Sequence, residues 1–283
     1  TRHRLQLHGA EGRVSEINEA AARLAREVAD AADRPVVVGG SMGPTGELFE
    51  PLGALTHDAA RDAFAEQAQA LARGGVDVLW IETLSSREEV DAAIEGAETT
   101  DLPVVCTVSF DTNGRTMMGI TPHGFAEHCT HAHHPPAAFG TNCGVGASEL
   151  VAAIMNMRGA AHDSAILIAK ANCGIPEWHG DQIVYNGTPE IMAEYAVLAR
   201  DAGARIVGGC CGTTPAHVAA MRHALDTRPR GAAPDLETVV ERLGEVSGGA
   251  RAQNAGNLDP MAAASGTARP QRGGRRRRSR AEG

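Results

Sequence analysis

The sequence predicts an α/β fold built on a parallel sheet covered by helices, and three observations carry that reading. Six short apolar runs lie near residues 34–40, 76–82, 102–110, 137–142, 165–172 and 204–207, each continuous rather than alternating, as strands buried on both faces are. They alternate with helical patterns at a spacing of about 30–40 residues. Polar residues close every strand (Ser41, Glu82, Ser109, Asn142, Asn172, Cys210), which favours a barrel with a central site over a doubly wound sheet.

Taken in order, Val14 to Asp30 reads as an amphipathic helix with Ile17, Ala21, Leu24 and Val28 on one face. Arg34 to Gly40 reads as a strand leading into the loop Ser41-Met42-Gly43-Pro44-Thr45-Gly46, and Thr56 caps the helix that ends near Gly74-Gly75. Val76 to Glu82 is the next strand, and Ser85 with Glu88 forms a capping box for the helix after it. Leu102 to Phe110 is a strand closed by an Asp111-Thr112-Asn113-Gly114 turn. Thr121-Pro122 and Thr188-Pro189 each open a helix with proline at its first position, as do Thr214 and Pro215. Pro234 to Leu243 reads as one more short helix. From Ser247 onward large apolar residues almost vanish, so residues 247–283 are expected to be a disordered, Arg-rich tail after a domain spanning 1–246.

With 283 residues, 43% of them hydrophobic, the chain can bury one large core. No run approaches the roughly 18 apolar residues of a membrane span, and the first residues do not read as a secretory signal. Six cysteines are too sparse for a disulfide scaffold and fit a reducing cytoplasm. The net charge of −9 is uneven: residues 250–283 carry eight arginines against Asp259 and Glu282, a net +6, which leaves −15 on residues 1–249. An acidic body argues against nucleic-acid binding by the folded part. Only the run Arg275–Arg278 with Arg280 offers an anionic partner a contact, and a solvated flexible tail is its better-supported reading.

The chemistry concentrates in Gly208-Gly209-Cys210-Cys211-Gly212-Thr213-Thr214-Pro215, on the turn leaving the last strand. Adjacent cysteines bridge each other only with strain, whereas the flanking glycines let the backbone turn so that both sulfurs face one point. Cys143 stands in an equivalent setting, after Thr141-Asn142 and before Gly144. Three thiolates converging from two strand ends make a zinc site with an open fourth position, a reading favoured over structural thiols or a redox pair. Cys106 and Cys129 are expected to be buried small hydrophobes, and Cys173 to lie near the site. The histidines at 131–134 read as solvated, without a matching acid.

Together, Gly208 to Pro215, Asn142-Cys143-Gly144, Ile81-Glu82-Thr83 and Gly39-Gly40-Ser41-Met42-Gly43-Pro44 resemble the zinc-dependent homocysteine S-methyltransferase family, most closely its bacterial betaine-using members, over roughly residues 1–225. The resemblance implies a (β/α)8 TIM-type barrel with Cys143, Cys210 and Cys211 as zinc ligands. It also implies that Glu82 and Asn142 hold the amino-acid end of homocysteine or support the zinc site. The implied reaction is attack of the homocysteine sulfur, held as a thiolate, on a methyl group of a positively charged donor, giving methionine. No side chain is needed as a general base, since the thiol proton leaves on binding.

Two departures qualify what the resemblance implies. The family's opening Asp-Gly-x-x-Gly-Thr strand and its second strand are not found, so a barrel lacking its first two strands is expected, with edges that call for a partner or a homo-oligomer. Such a chain is either a homocysteine methyltransferase or a non-catalytic remnant of one. A quaternary ammonium donor needs an aromatic cage, yet aromatics are 3% of the chain, and Trp178 and Tyr185 are the local candidates. Betaine is the favoured donor, with S-methylmethionine or a methylated corrinoid or folate as alternatives.

Overall fold

The computed structural model describes residues 1–174, 176–180 and 182–257. Its centre is a parallel sheet of β1 (Gly39–Met42), β2 (Val78–Leu84), β3 (Val104–Val108), β4 (Ala138–Cys143), β5 (Leu167–Ala171) and β8 (Ala204–Gly209), hydrogen-bonded in that order. Between β5 and β8 the chain forms a small antiparallel hairpin, β6 (Pro176–His179) and β7 (Gln182–Tyr185). The strands alternate with α3 (His57–Arg73), α4 (Arg87–Ala97), α5 (Pro122–His131), α6 (Ala147–Ala160), α7 (Pro189–Asp201) and α8 (Pro215–Thr227). Among the described residues β1 and β8 are the two sheet edges. The architecture is the alternating α/β arrangement of the TIM type that the sequence predicts.

Two faces of the sheet do different work. Leu79, Ile81, Cys106, Val108, Phe139, Leu167 and Ala169 point to the helices and join the main core with Phe64, Phe125, Ile154 and Met192. The other face carries a second apolar layer, Val78, Val105, Ala138 and Ile168, flanked by Trp80 and Ile206. Strand periodicity puts Ser41, Glu82, Thr107, Asn142 and Lys170 on this same face, nearer the C-terminal ends, so the apolar layer lies beneath a polar one. That stacking of layers is the interior of a barrel, with chemistry at the C-terminal rim.

Several boundaries differ from the sequence reading. Pairing of β1 begins only at Gly39, because Val38 is occupied by the strand-entry turn: its N–H donates to the Asp77 carboxylate (2.7 Å) and its carbonyl accepts from Asp77 N (2.9 Å). On α2 (Val14–Asp30) the buried positions are Val14, Ala22 and Ala29, while Leu24 and Val28 face outward at 65% and 75% exposure. The helix rests on α3 through its small residues, which lets the two backbones approach closely. β2 runs on to Leu84, so the N-cap of α4 is Ser86, whose hydroxyl accepts from Glu89 N. Glu89 does not complete a capping box. Its carboxylate accepts from Thr45 N (2.8 Å) and Thr45 Oγ1 (2.7 Å), tying the β1 exit loop to α4.

The expectation of a disordered tail from 247 also changes. After α9 (Leu236–Leu243), Ser247 caps α10 (Gly248–Asn254), which buries Ala250 and Gln253. Alanine and glycine suffice here because the helix packs closely on Ala152 of α6. The Arg run at 275–280 lies outside the described residues. Cys106 and Cys129 are buried as expected. The reading of the 131–134 histidines as lacking an acid is corrected at one position: His134 Nδ1 stands 2.7 Å from Glu98, because the turn after α5 folds back on the end of α4.

Tyr195 of α7 fixes β8 against β5. Its buried hydroxyl accepts from Ala171 N (3.1 Å) and donates to Gly208 O (3.3 Å). Tyr195→Phe strands a buried N–H, and a loss of about 1–3 kcal/mol is expected. Urea unfolding should show a lower midpoint at unchanged slope. An unchanged midpoint would mean that water replaces the hydroxyl.

Candidate metal centre

The thiols of Cys143, Cys210 and Cys211 have sulfur atoms all within 4.8 Å of one another. They come from two strand exits, β4 and β8, with β5 between them, so local sequence alone could not bring them together. Cys143 sits at φ 62° and Gly144 at φ 74°, a paired left-handed turn that swings the cysteine away from its strand direction. A non-glycine residue there is strained, of order 1–3 kcal/mol, and such strain clusters at functional positions. Past β8, Gly212 (φ +76°) turns the chain against Tyr185. A Cβ on Gly212 would lie 2.4 Å from Tyr185 Cγ, so no larger residue fits.

Two buried asparagines hold the exits in register. Asn172, just past β5, donates from Nδ2 to Gly144 O (2.8 Å) and accepts at Oδ1 from Cys211 N (3.1 Å), bridging the two cysteine turns. Asn142 accepts at Oδ1 from Thr83 N (2.9 Å) and Thr107 Oγ1 (2.7 Å). Its amide donates to Thr83 Oγ1 (2.8 Å) and to Cys210 Sγ (3.8 Å). The Asn142 side chain is thus saturated, and Thr83, which meets it twice, is itself strained at φ 66°.

Electrostatics follow the geometry. The Cys143 thiol donates to Cys210, which with the Asn142 amide and the nearby Lys170 charge pulls the Cys210 pKa down to about 5 against the cost of burial. The same shared proton, with burial, pushes Cys143 up. Burial and donation to Cys211 raise the Tyr185 hydroxyl. The cluster thus favours the thiolate form at Cys210 and disfavours it at Cys143.

Glu82 stands on the interior face, accepting from Ser41 Oγ (2.5 Å) and Lys170 Nζ (2.5 Å), and Lys170 lies 5.2 Å from the Trp80 ring centroid. Both charged side chains are about four-fifths covered, so the pair neutralises itself inside the rim. Sequence reasoning singled out the three cysteines, Glu82 and Asn142, and all five lie at this rim. It missed Lys170, visible only as a lone cation inside an apolar strand, and the bridging role of Asn172. Cys173 is structural: its thiol donates to Gly187 O (3.0 Å) and its N–H supports Cys211 O (2.9 Å). Of the two aromatic candidates, Tyr185 reaches the cluster, and the Trp178 side chain lies outside the described residues.

Beside the cluster lies a cavity of about 420 Å³. Its walls are the β1 exit loop (Pro44–Leu52), Thr83 at the end of β2 with Ser85 just past it, and Ser109, Asp111, Met117 and Met118 after β3. Thr83 connects it through Asn142 to Cys210. Glu47, Glu50, Glu88, Glu89 and Asp111 line it, and its described lining holds no lysine or arginine.

The homocysteine S-methyltransferase family profile matches residues 1–225. Among solved structures, the apo form of the homocysteine methyltransferase MmuM from Escherichia coli is similar at 25% identity and a TM-score of 0.58, over 75% of this chain and 73% of that one. The metallated form of the same protein aligns at 24% identity and a TM-score of 0.60, over 79% and 75%. The thiol cluster, the layered parallel sheet and these matches agree, and the chain belongs to the homocysteine S-methyltransferase family.

Proposed function

We propose that this chain holds zinc on Cys143, Cys210 and Cys211 and transfers a methyl group from an onium donor to homocysteine, forming methionine. The observation that carries the reading is the convergence of three sulfurs within 4.8 Å at the C-terminal rim. Tetrahedral zinc–thiolate bonds near 2.3 Å place ligand sulfurs about 3.8 Å apart, a spacing that small side-chain rotations reach from the cluster. A three-thiolate donor set suits zinc and leaves a fourth position. Zinc bound there would supply Lewis acidity that takes an incoming thiol in its thiolate form.

The chain's own residues then do the rest. Asn142 and Asn172 keep the cysteines in register. Glu82, with lone pairs beyond those used by Ser41 and Lys170, is suited to take the homocysteine ammonium group. The saturated Asn142 supports the cysteines rather than the substrate. In the transfer, a homocysteine sulfur lone pair forms the new S–C bond, the donor's bond to that methyl breaks, and its electron pair leaves on a neutral amine or sulfide. The free thiols of the cluster also fit a reducing cytoplasm, where we place the chain.

Resemblance to betaine-using relatives implies glycine betaine as donor, and one observation favours a second reading. Five carboxylates and a single aromatic, Phe49, line the cavity beside the cluster. That lining suits a donor of net positive charge more than betaine, whose own carboxylate it repels. A sulfonium amino acid such as S-methylmethionine meets the requirement, whereas an anionic folate does not.

Purified chain should carry one zinc, reduced at least tenfold in Cys210→Ala and weakened about tenfold or more in Asn172→Leu by the loss of a supporting contact. Elemental analysis after gel filtration checks this. Full occupancy in Cys210→Ala would remove the cluster from the account. With labelled donors, methionine formation from S-methylmethionine should exceed that from betaine. Transfer from neither would refute the onium reading.

A further inference from the structure

The family match ends at residue 225, yet the chain continues into α9 and α10, and both are docked. Val239 is fully buried, and Leu236, Val240, Val246 and Ala250 pack on Ala152 of α6. From α6 the segment reaches the loop after β3. Gly249 N donates to Asn113 Oδ1 (2.8 Å), and the buried amide of Gln253 donates to Gly114 O (3.0 Å).

This contact is close enough to exclude side chains. A Cβ on Gly249 would sit 2.0 Å from Asn113 O, and one on Gly114 would sit 2.8 Å from Ala250 N. Asn113 (φ 53°) and Gly114 (φ 73°) form a tight left-handed turn closed by Thr112 N to Arg115 O (2.9 Å) and Arg115 N to Thr112 O (3.1 Å). Beyond the turn, Thr116 Oγ1 donates to Ser85 O (2.7 Å) at the β2 exit. The loop is thus pinned at its tip by α10 and at its base by β2. Between and beside these anchors stand Asp111, Met117 and Met118, which form one wall of the acidic cavity.

We propose that residues 236–254 act as a strap that positions this wall, with Gly249 and Gln253 as positioning residues for the methyl donor. The proposal rests on the reading of the cavity as the donor's site. Glu245 and Ser247 of the strap bond Ser148 and Glu149 at the start of α6, whereas Gly249 and Gln253 bond the turn after β3, so changes at these two residues bear on the donor's wall rather than on the cysteine turns.

The test uses the full chain with Gly249→Ala, which wedges α10 off the turn, and Gln253→Met, which keeps volume and removes the donated hydrogen bond. Hydrogen exchange at Thr112 and Arg115 should speed up about tenfold in each variant, and the donor KM should rise about tenfold, as for the loss of one buried hydrogen bond. Zinc content, the homocysteine KM and kcat at saturating donor should hold within about twofold. Unchanged exchange, or an unchanged donor KM in both variants, would overturn the strap. A wild-type chain that turns over no onium donor would instead overturn the reading of the cavity, whatever the exchange shows.

Discussion

The structure depends on two buried asparagines that stitch together strand exits far apart in sequence. Asn172 spans Gly144 and Cys211 and so ties the β4 turn to the β8 turn across β5. Without Asn142, the strained Thr83 would lose both of its side-chain contacts and Cys210 its amide donor. Buried amides of this kind are costly when half satisfied and rigid when fully satisfied. Here they are satisfied, and the rigidity goes into keeping three sulfurs within 4.8 Å of one another.

The rest of the fold makes that arrangement affordable. An apolar layer of Val78, Val105, Ala138 and Ile168 supports the polar layer from below, and the helix-facing core supports it from behind. The Glu82–Lys170 pair then places two charges inside the rim with little net field, while Lys170 still biases Cys210 toward thiolate. Charge thus concentrates in two places, at the cluster and along the carboxylates of the neighbouring cavity. The cationic donor we propose matches the second, and the homocysteine thiol matches the first.

Much of this was legible in the sequence. Continuous apolar runs gave the parallel sheet because such strands are buried on both faces, and the Thr-Pro pairs located the starts of three helices. The cysteine cluster was legible because adjacent cysteines between glycines have few structural uses. What stayed hidden depended on tertiary contact. Leu24 and Val28 look like a core face, yet the helix packs through Ala22 and Ala29. Ser85 and Glu88 match a capping box, but β2 extends by enough to move the cap to Ser86. The docking of α10 could not be read from Gly-Gly-Ala-Arg, because its stability comes from close backbone approach to the turn at Asn113 rather than from large apolar side chains.

The central claim is that three cysteine sulfurs bind one metal and leave a position for the homocysteine sulfur. Metal-edge X-ray absorption on the zinc-loaded chain tests it most directly. Three sulfurs per zinc at about 2.3 Å, rising to four when homocysteine is added, is the expected result. Two or fewer sulfurs, or a count that homocysteine leaves unchanged, would contradict the account.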